Sequence, residues 1–174
     1  MRGRGALVTG ATRGEHCRRA VTVCAQRFGG RLDVLLNNVA FGERSGLFEV
    51  GTDDWDRLMG VSLKSAWLMT RHAEPMMREG SAIVNIPSVG ARRPGPGMVY
   101  SVAKAGLDHL TKGAASTLGP RGIRVNCLPI GAIWSSTAAR NIPAGGPRGP
   151  PPRHRPRHGG NALRPCVRGP APGQ

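Results

Sequence analysis

The stretch ALVTGATRG, residues 6–14, decides the fold of this chain. Residues 6–9 form a short apolar run that Gly10 stops, which predicts a buried β-strand. Gly10 and Gly14 bracket a glycine loop, and an amphipathic helix pattern follows it. One face of that helix carries the apolar positions Cys17, Ala20, Val21, Cys24, Ala25 and Phe28. The pattern ends at Gly29-Gly30, a typical helix stop.

Strand and helix patterns keep alternating after this first unit. Apolar runs at residues 32–36, 82–86 and 123–128 predict three further strands. A long helix pattern begins at Thr52, the predicted N-cap, and a second one covers residues 100–118. Strands that alternate with helices predict an α/β fold with a doubly wound parallel sheet. In such a sheet, ligands bind at the carboxyl ends of the strands.

Composition indicates one domain without a membrane span. The chain has 174 residues, of which 39% are hydrophobic. No run approaches the ~20 apolar residues of a membrane span. Residues 1–9 lack the ~7–15-residue apolar stretch of a secretory signal, so we expect none. The cysteines form no CxxC pair, so we expect neither a metal site nor a disulfide framework, and a reducing, cytoplasmic compartment.

Charge divides the chain into two parts. Lys and Arg number 25 against 10 Asp and Glu, which gives a net charge of +15. Residues 141–174 contain six Arg, nine Pro and seven Gly, with no acid. Such a segment has too little apolar surface to offset its ordering entropy. We predict a folded domain over residues 1–140 and a disordered Arg/Pro/Gly-rich tail over residues 141–174.

Two residues of the second long helix carry candidate chemistry. Tyr100 and Lys104 are four residues apart, so both side chains project from one helix face. An ammonium group beside a phenol favours the phenolate and eases proton transfer by the tyrosine. Ser88 follows the third predicted strand, where its hydroxyl can hydrogen-bond a carbonyl or alcohol oxygen. Each feature alone is also typical of an ordinary helix surface or turn.

Five segments occur in the order typical of one enzyme family: TGATRG (9–14), LDVLLNN (32–38), IVNIPS (83–88), YSVAK (100–104) and GIRVNCLPIG (122–131). Over residues 5–137 the chain resembles the short-chain dehydrogenases/reductases. The resemblance implies a Rossmann-like sheet that binds NADP or NAD. It also implies hydride transfer between the nicotinamide cofactor and a small-molecule alcohol or carbonyl substrate. Tyr100 would be the general acid/base, Lys104 would hold the nicotinamide ribose, and Ser88 would orient the substrate oxygen.

Further site residues follow from the same resemblance. Ser62 stands where the family has a catalytic asparagine that supports a water in the proton relay. Besides Tyr100 and Lys104, the implied cofactor-binding residues are Thr9, Gly10, Arg13, Gly14, Asn37, Gly131, Ile133 and Ser135. Arg13 can pair with the 2′-phosphate of NADP, which gives NADP a weak preference over NAD, or it can simply face solvent.

The chain departs from the family pattern in ways that predict a smaller sheet and impaired activity. His16 replaces the third loop glycine, which predicts that the first helix moves outward. The family's segment between the glycine loop and the LDVLLNN strand is missing, and the half-site for adenine is missing with it. The substrate lid and last strand give way to the tail. We therefore predict about four strands, with the first strand at an uncovered edge.

Three functions stay open. The first is an NAD(P)-dependent oxidoreductase. The second is a non-catalytic relative that acts through homo-oligomerisation by the two long helices, which form the subunit interface in the family. The third is non-specific nucleic-acid binding by the basic tail, although the tail has no aromatic residue for base stacking. The tail composition, rich in residues with GC-rich codons, is also typical of an out-of-frame reading.

Overall fold

The computed structural model describes residues 5–8, 14–42, 46, 48–92 and 97–131. Several sequence predictions lie outside these described residues. They are the tail of residues 141–174 and the cofactor-binding residues Thr9, Gly10, Arg13, Ile133 and Ser135.

Four strands alternate with helices along the described chain. The strands are β1 (Ala6–Val8), β2 (Val34–Asn37), β3 (Ala82–Asn85) and β4 (Arg124–Cys127). The helices are α1 (Gly14–Arg27), α2 (Thr52–Met59), α3 (Ser65–Ala73) and α4 (Met98–Leu118). The strands are parallel and lie in the order β1-β2-β3-β4, which puts β1 at an edge. The predicted α/β fold with a four-stranded, Rossmann-like parallel sheet is confirmed.

The strand register separates the two faces of the sheet. Leu7, Leu35, Ile83 and Val125 form one row across all four strands, and their side chains join the hydrophobic core. That core also contains residues of three helices: Cys17 and Val21 of α1, Met69 and Ala73 of α3, and Leu118 of α4. The helices therefore pack on the face to which this row points.

The strand order explains why these helices share one layer. Each crossover joins neighbouring parallel strands and steps in the same direction, so right-handed crossovers place their helices on the same face. α1 packs against α3, and α2 packs against α4. Among the described residues, no helix covers the opposite face, to which the next row, Val8, Leu36, Val84 and Asn126, points.

The first helix buries most of its predicted stripe. Cys17, Val21 and Ala25 are at most 2% exposed, whereas Phe28 is 45% exposed. Phe28 instead packs over Gly5, where an added Cβ would lie 2.6 Å from the phenyl ring. The helix ends at Arg27, just before the predicted stop at Gly29-Gly30, and Gly29 has a φ of +67°, which suits glycine.

The start of α2 corrects one sequence prediction. Thr52 is not the N-cap; Gly51 is, with extended backbone and no side-chain cap, and Thr52 is the first helical residue. Asp53 and Asp54 lie in the first turn, where carboxylates interact favourably with the helix dipole. The acidic first turn therefore supplies the stabilisation that a side-chain cap would have given.

The predicted long helix contains an irregular turn. α2 and α3 are joined by a π-helical segment, Gly60–Lys64, which carries the buried Ser62. α4 crosses this segment closely at Gly106, where an added Cβ would lie 2.8 Å from Leu63 Cδ2. A larger residue at position 106 would therefore require the Leu63 side chain to shift.

Two glycines of α4 give a matched test of that crossing. Gly113→Ala is expected to raise the free energy of unfolding by about 0.5–1 kcal/mol, because alanine loses less backbone entropy in a helix and its Cβ meets nothing within 4 Å. Gly106→Ala is expected to give no gain and to lose about 1 kcal/mol through overpacking against Leu63. Urea denaturation of both variants measures the difference. An equal gain at both positions would contradict the close crossing.

Candidate functional site

Ser88 is fixed at the carboxyl ends of β3 and β4. It forms an isolated parallel bridge with Ile130. The backbone N–H of Val89 donates to Ile130 O at 3.0 Å. The Ser88 Oγ accepts a hydrogen bond from the Gly90 N–H at 3.1 Å. Because this bond uses a lone pair, the Ser88 hydroxyl proton is left to donate to a substrate oxygen.

Lys104 is a buried cation. Its side chain is only 2% exposed, and its Nζ donates to the Ile86 backbone oxygen at 2.7 Å. Burial lowers the pKa of the Lys104 ammonium from its usual 10.5 to about 8. Desolvation by burial is the cause of this shift. Among the described residues, no carboxylate compensates the ammonium at the end of β3.

Tyr100 lies one helical turn before Lys104. The Lys104 Nζ is 5.8 Å from the centroid of the Tyr100 ring. An added Cβ at Gly90 would lie 3.4 Å from Ser88 Oγ and 3.7 Å from Ser101 Oγ. The turn that carries Ser88 therefore packs against the start of α4, next to Tyr100. The structure brings Ser88, Tyr100 and Lys104 together at one end of the sheet.

Ser62, on the π-helical segment, lies near the same end of the sheet. It is 1% exposed, and its Oγ both accepts from the Phe41 N–H and donates to the Phe41 O, each at 3.1 Å. The next residue, Gly42, borders the site, because an added Cβ there would lie 4.0 Å from Tyr100 Cδ2. The hydroxyl of Ser62 therefore holds the segment after β2, and its proton is committed to Phe41.

Asn37 lies inside the protein. Its Nδ2 donates to Asn85 Oδ1 at 2.8 Å and, at 3.5 Å, to Thr70 Oγ1. Asn85 Nδ2 donates to Thr111 Oγ1 at 2.9 Å, and Thr111 Oγ1 donates to Leu107 O at 2.7 Å. This chain of bonds ties β2 to β3 and β3 to α4. The Asn37 side chain, predicted to line the cofactor site, thus serves this buried network.

One atom of the network has no bond. Asn37 Oδ1 is buried and has no hydrogen-bond partner among the described residues. The sequence motifs did not indicate this network. In the structure, Asn37 and Asn85 are in register at the same inward-facing position of neighbouring strands.

A second polar cluster, also missed from the sequence, supports the Ser88 turn. The Asp108 carboxylate on α4 accepts from Cys127 Sγ at 3.2 Å and pairs with Arg92 at 3.7 Å. Lys112 approaches the same carboxylate at 3.5 Å. Arg92 ends the short helical turn that follows Ser88. Asp108 therefore joins this turn to α4 and β4.

The remaining described positions say less about a cofactor. Gly14 is the first residue of α1, and Glu15 and His16 are exposed, so both side chains turn away from the sheet. Gly131 is exposed, and an added Cβ there would meet nothing within 4 Å. The structure therefore shows no steric need for glycine at position 131.

The buried Lys104 fits a nicotinamide ribose. An ammonium group has three N–H donors, and the bond to Ile86 O accounts for only one of them. The others can donate to ribose hydroxyls, which would offset part of the desolvation of this buried cation. Tyr100 and Ser88 lie beside this position. Among the described residues, no three His, Cys, Asp or Glu side chains form a group suited to a metal ion.

Comparison with known proteins gives one consistent result. A family profile described as enoyl-(acyl carrier protein) reductase matches residues 2–147. Dehydrogenase/reductase SDR family member 4 of Pongo abelii is 37% identical over 144 residues, which cover 78% of this chain and 51% of that protein. NADPH-dependent aldehyde reductase 1 of Arabidopsis thaliana is 37% identical over 123 residues, which cover 70% and 42%. The chain spans about half the length of the curated relatives it matches.

Solved structures agree with these relatives. A short-chain dehydrogenase of Burkholderia cenocepacia in complex with NADP matches with a TM-score of 0.65 and 35% identity, covering 68% of this chain and 49% of that one. A mutant short-chain dehydrogenase/reductase of Serratia marcescens matches with a TM-score of 0.69 and 34% identity, covering 72% and 52%. In the part of this chain that is described, no helix is long and apolar enough to cross a membrane.

The buried network can be tested with two threonines of α4. Thr111→Val is expected to cost about 1–3 kcal/mol of stability, because the buried Asn85 amide loses its acceptor. Thr117→Val is the matched control: Thr117 also donates to a carbonyl four residues earlier, but on the exposed face. Its cost is expected to stay within about 0.5 kcal/mol. Equal costs would show that the network adds nothing beyond the local helix bond.

Lys104 should impose a pH dependence on stability. The group titrates at about 8 in the folded protein against a usual 10.5, so between these values the unfolded chain holds more protons and stability rises with pH. The free energy of unfolding of the wild type, relative to Lys104→Met, is expected to rise between pH 8 and about 10, by on the order of 2 kcal/mol. Denaturant titrations across this range measure it.

The exposed Lys64→Met variant is the control for that experiment. Its stability is expected to follow the wild-type pH dependence, because the exposed Lys64 side chain stays hydrated. A Lys104→Met variant with an unchanged pH dependence would contradict the desolvation of this ammonium.

Proposed function

Since the chain belongs to the short-chain dehydrogenase/reductase family, we propose that it is an NAD(P)-dependent oxidoreductase acting on a small-molecule alcohol or carbonyl compound. The observation that carries this proposal is the buried Lys104 ammonium, held by Ile86 O beside Tyr100 and, among the described residues, without an acidic partner. A buried cation is costly and is typical of a functional site.

The described side chains have separate roles in the proposed reaction. A bound nicotinamide cofactor supplies or accepts the hydride at the substrate carbon. The Ser88 O–H donates a hydrogen bond to the substrate oxygen and orients it, and keeps its proton, since the Gly90 N–H already occupies a lone pair of Oγ. Tyr100 gives its phenolic proton to that oxygen in reduction and takes it back in oxidation. Lys104 binds the ribose and places a positive charge near the Tyr100 ring.

NADP is the preferred cofactor in this proposal. The matching Burkholderia cenocepacia structure is a complex with NADP, and the Arabidopsis thaliana relative is named as NADPH-dependent. Arg13, the residue proposed to pair with the 2′-phosphate, lies outside the described residues. For the compartment, we propose a reducing cytoplasm, which the absence of a CxxC pair from the sequence supports.

Impaired turnover is part of the proposal. The hydroxyl of Ser62 uses its single proton on Phe41 O, so it has no donor left for a water in a proton relay. Two contacts fix it there, at 3.1 Å each. Ser62 thus replaces the family's catalytic asparagine in position but offers less hydrogen-bonding capacity.

The proton-transfer roles can be tested with two variants. Tyr100→Phe is expected to lower carbonyl-dependent NADPH oxidation by about 10²–10⁴-fold, because the phenolic proton is lost, while NADPH binding persists. Ser88→Ala should lower kcat as well, whereas the neighbouring Ser101→Ala should not. Absorbance assays with a panel of aldehydes and ketones measure the rates. A Tyr100→Phe protein as active as the wild type would refute the proposal.

A homo-oligomer built through the two long helices is the second part of the proposal. A groove of about 760 Å³ lies between the α2–α3 segment and α4. Its lining residues are Asp56, Met59, Gly60, Leu63, Lys64, Trp67, Gly106, His109 and Leu110. Asp56 and Lys64 both line this groove. In a two-fold symmetric dimer, Asp56 of one copy can therefore pair with Lys64 of the second copy. This groove also supports the alternative of a non-catalytic relative that acts through oligomerisation.

Light scattering tests the oligomer. The single variants Asp56→Lys and Lys64→Asp are expected to lower the dimer fraction by juxtaposing like charges, and the double variant is expected to restore it. A monomeric wild-type protein would refute this part of the proposal without affecting the catalytic part.

A further inference from the structure

The segment after β2 is held in two independent ways. Ser62 binds the backbone of Phe41, through both its N–H and its carbonyl oxygen. Arg57 holds the side chain: its guanidinium carbon lies 4.3 Å above the centroid of the Phe41 ring. A guanidinium at this distance over an aromatic face is attracted by the ring quadrupole. Backbone and ring of Phe41 are therefore fixed by the same helical stretch, α2 and the π turn.

Arg57 is exposed on α2, and among the described residues it forms no ion pair. Leu58, the next residue, is buried, so the helix position itself is fixed in the core. The stack on Phe41 is thus the specific contact of the Arg57 side chain within the described part of the chain.

The clamped segment borders the reactive tyrosine. Gly42 directly follows Phe41, and an added Cβ there would lie 4.0 Å from Tyr100 Cδ2. Gly42 is exposed and Tyr100 is partly buried, so this border lies at the mouth of the site. The Phe41–Gly42 segment therefore forms a wall beside the Tyr100 ring.

We propose that Arg57 is a positioning residue that fixes the Phe41–Gly42 wall beside Tyr100 and thereby determines how bulky apolar carbonyl substrates bind. The proposal rests on the proposed oxidoreductase function for its effect on substrates, but the clamp itself is a property of the protein without ligand. Arg57 acts through Phe41 and touches no reacting atom. Loss of the stack frees the Phe41 ring. This weakens substrate binding, seen as a higher KM, and leaves the rate of the chemical step unchanged.

The first experiment measures the clamp directly. Amide hydrogen exchange at Phe41, followed by NMR in the full chain without ligand, is expected to be about two- to five-fold faster in Arg57→Gln than in the wild type. Arg57→Lys should lie between the two, because an ammonium stacks less well than a guanidinium. Arg71→Gln is the matched control, since Arg71 stacks on Trp67 at 5.5 Å in α3. Exchange at Phe41 unchanged in Arg57→Gln, or equally raised in Arg71→Gln, would overturn the proposal.

The second experiment measures substrate binding with NADPH and two aldehydes of different size. For benzaldehyde, Arg57→Gln is expected to raise KM about two- to five-fold with little change in kcat. For acetaldehyde, both constants should stay near wild type. An equal fall of kcat for both aldehydes would overturn the positioning role. A wild-type protein that protects Phe41 from exchange but reduces neither aldehyde would count against the proposed oxidoreductase function and leave the clamp standing.

Discussion

The buried chain of side-chain hydrogen bonds from Asn37 through Asn85 to Thr111 is the interaction on which the site depends. Polar groups with so little access to water must be paired, and here each pairing joins two elements of the fold. β3 is tied to β2 on one side and to α4 on the other. Because Tyr100 and Lys104 lie on α4, their height above the end of β3 follows from this network, and Lys104 completes it by donating to Ile86 O.

The strand order explains why the helices of the described residues pack on one face of the sheet. Consecutive strands are neighbours in order, so every right-handed crossover returns its helix to one face. Complete parallel sheets are usually covered on both faces, and among the described residues the face of Leu36 and Val84 has no helix upon it. The polar groups that carry the proposed chemistry lie at the carboxyl ends of β3 and β4 and on α4. The proposed site thus uses the helix layer that is present.

Much of this could be predicted from the sequence. The four strands follow from short apolar runs, and the stop of α1 follows from Gly29-Gly30, since both signals are local. Tyr100 and Lys104 share a face because of the helical repeat alone. The contacts of Asn37 could not be found in this way, because its partners lie 48 and 33 residues away. The π turn at Ser62 was equally hidden, because a π turn depends on how the helix packs against α4 and not on residue preferences.

The role of Ser62 shows how a family pattern and a particular structure differ. Its position matches a catalytic asparagine, but its hydroxyl is short and already satisfied by the Phe41 backbone. Together with the Arg57 stack, this makes the Phe41–Gly42 segment a fixed border of the site. A residue that aligns with a catalytic group therefore acts here, in our account, through the backbone it holds.

The central claim is that Ser88, Tyr100 and Lys104 bind the nicotinamide half of a dinucleotide cofactor. Calorimetric titration of the folded protein with NADPH and with reduced nicotinamide mononucleotide tests it most directly. The account predicts that both bind, because both carry the nicotinamide ribose that Lys104 would hold. A folded protein that binds neither would contradict the nicotinamide site, and one that binds NADPH alone would show that binding depends on the adenosine half of the cofactor.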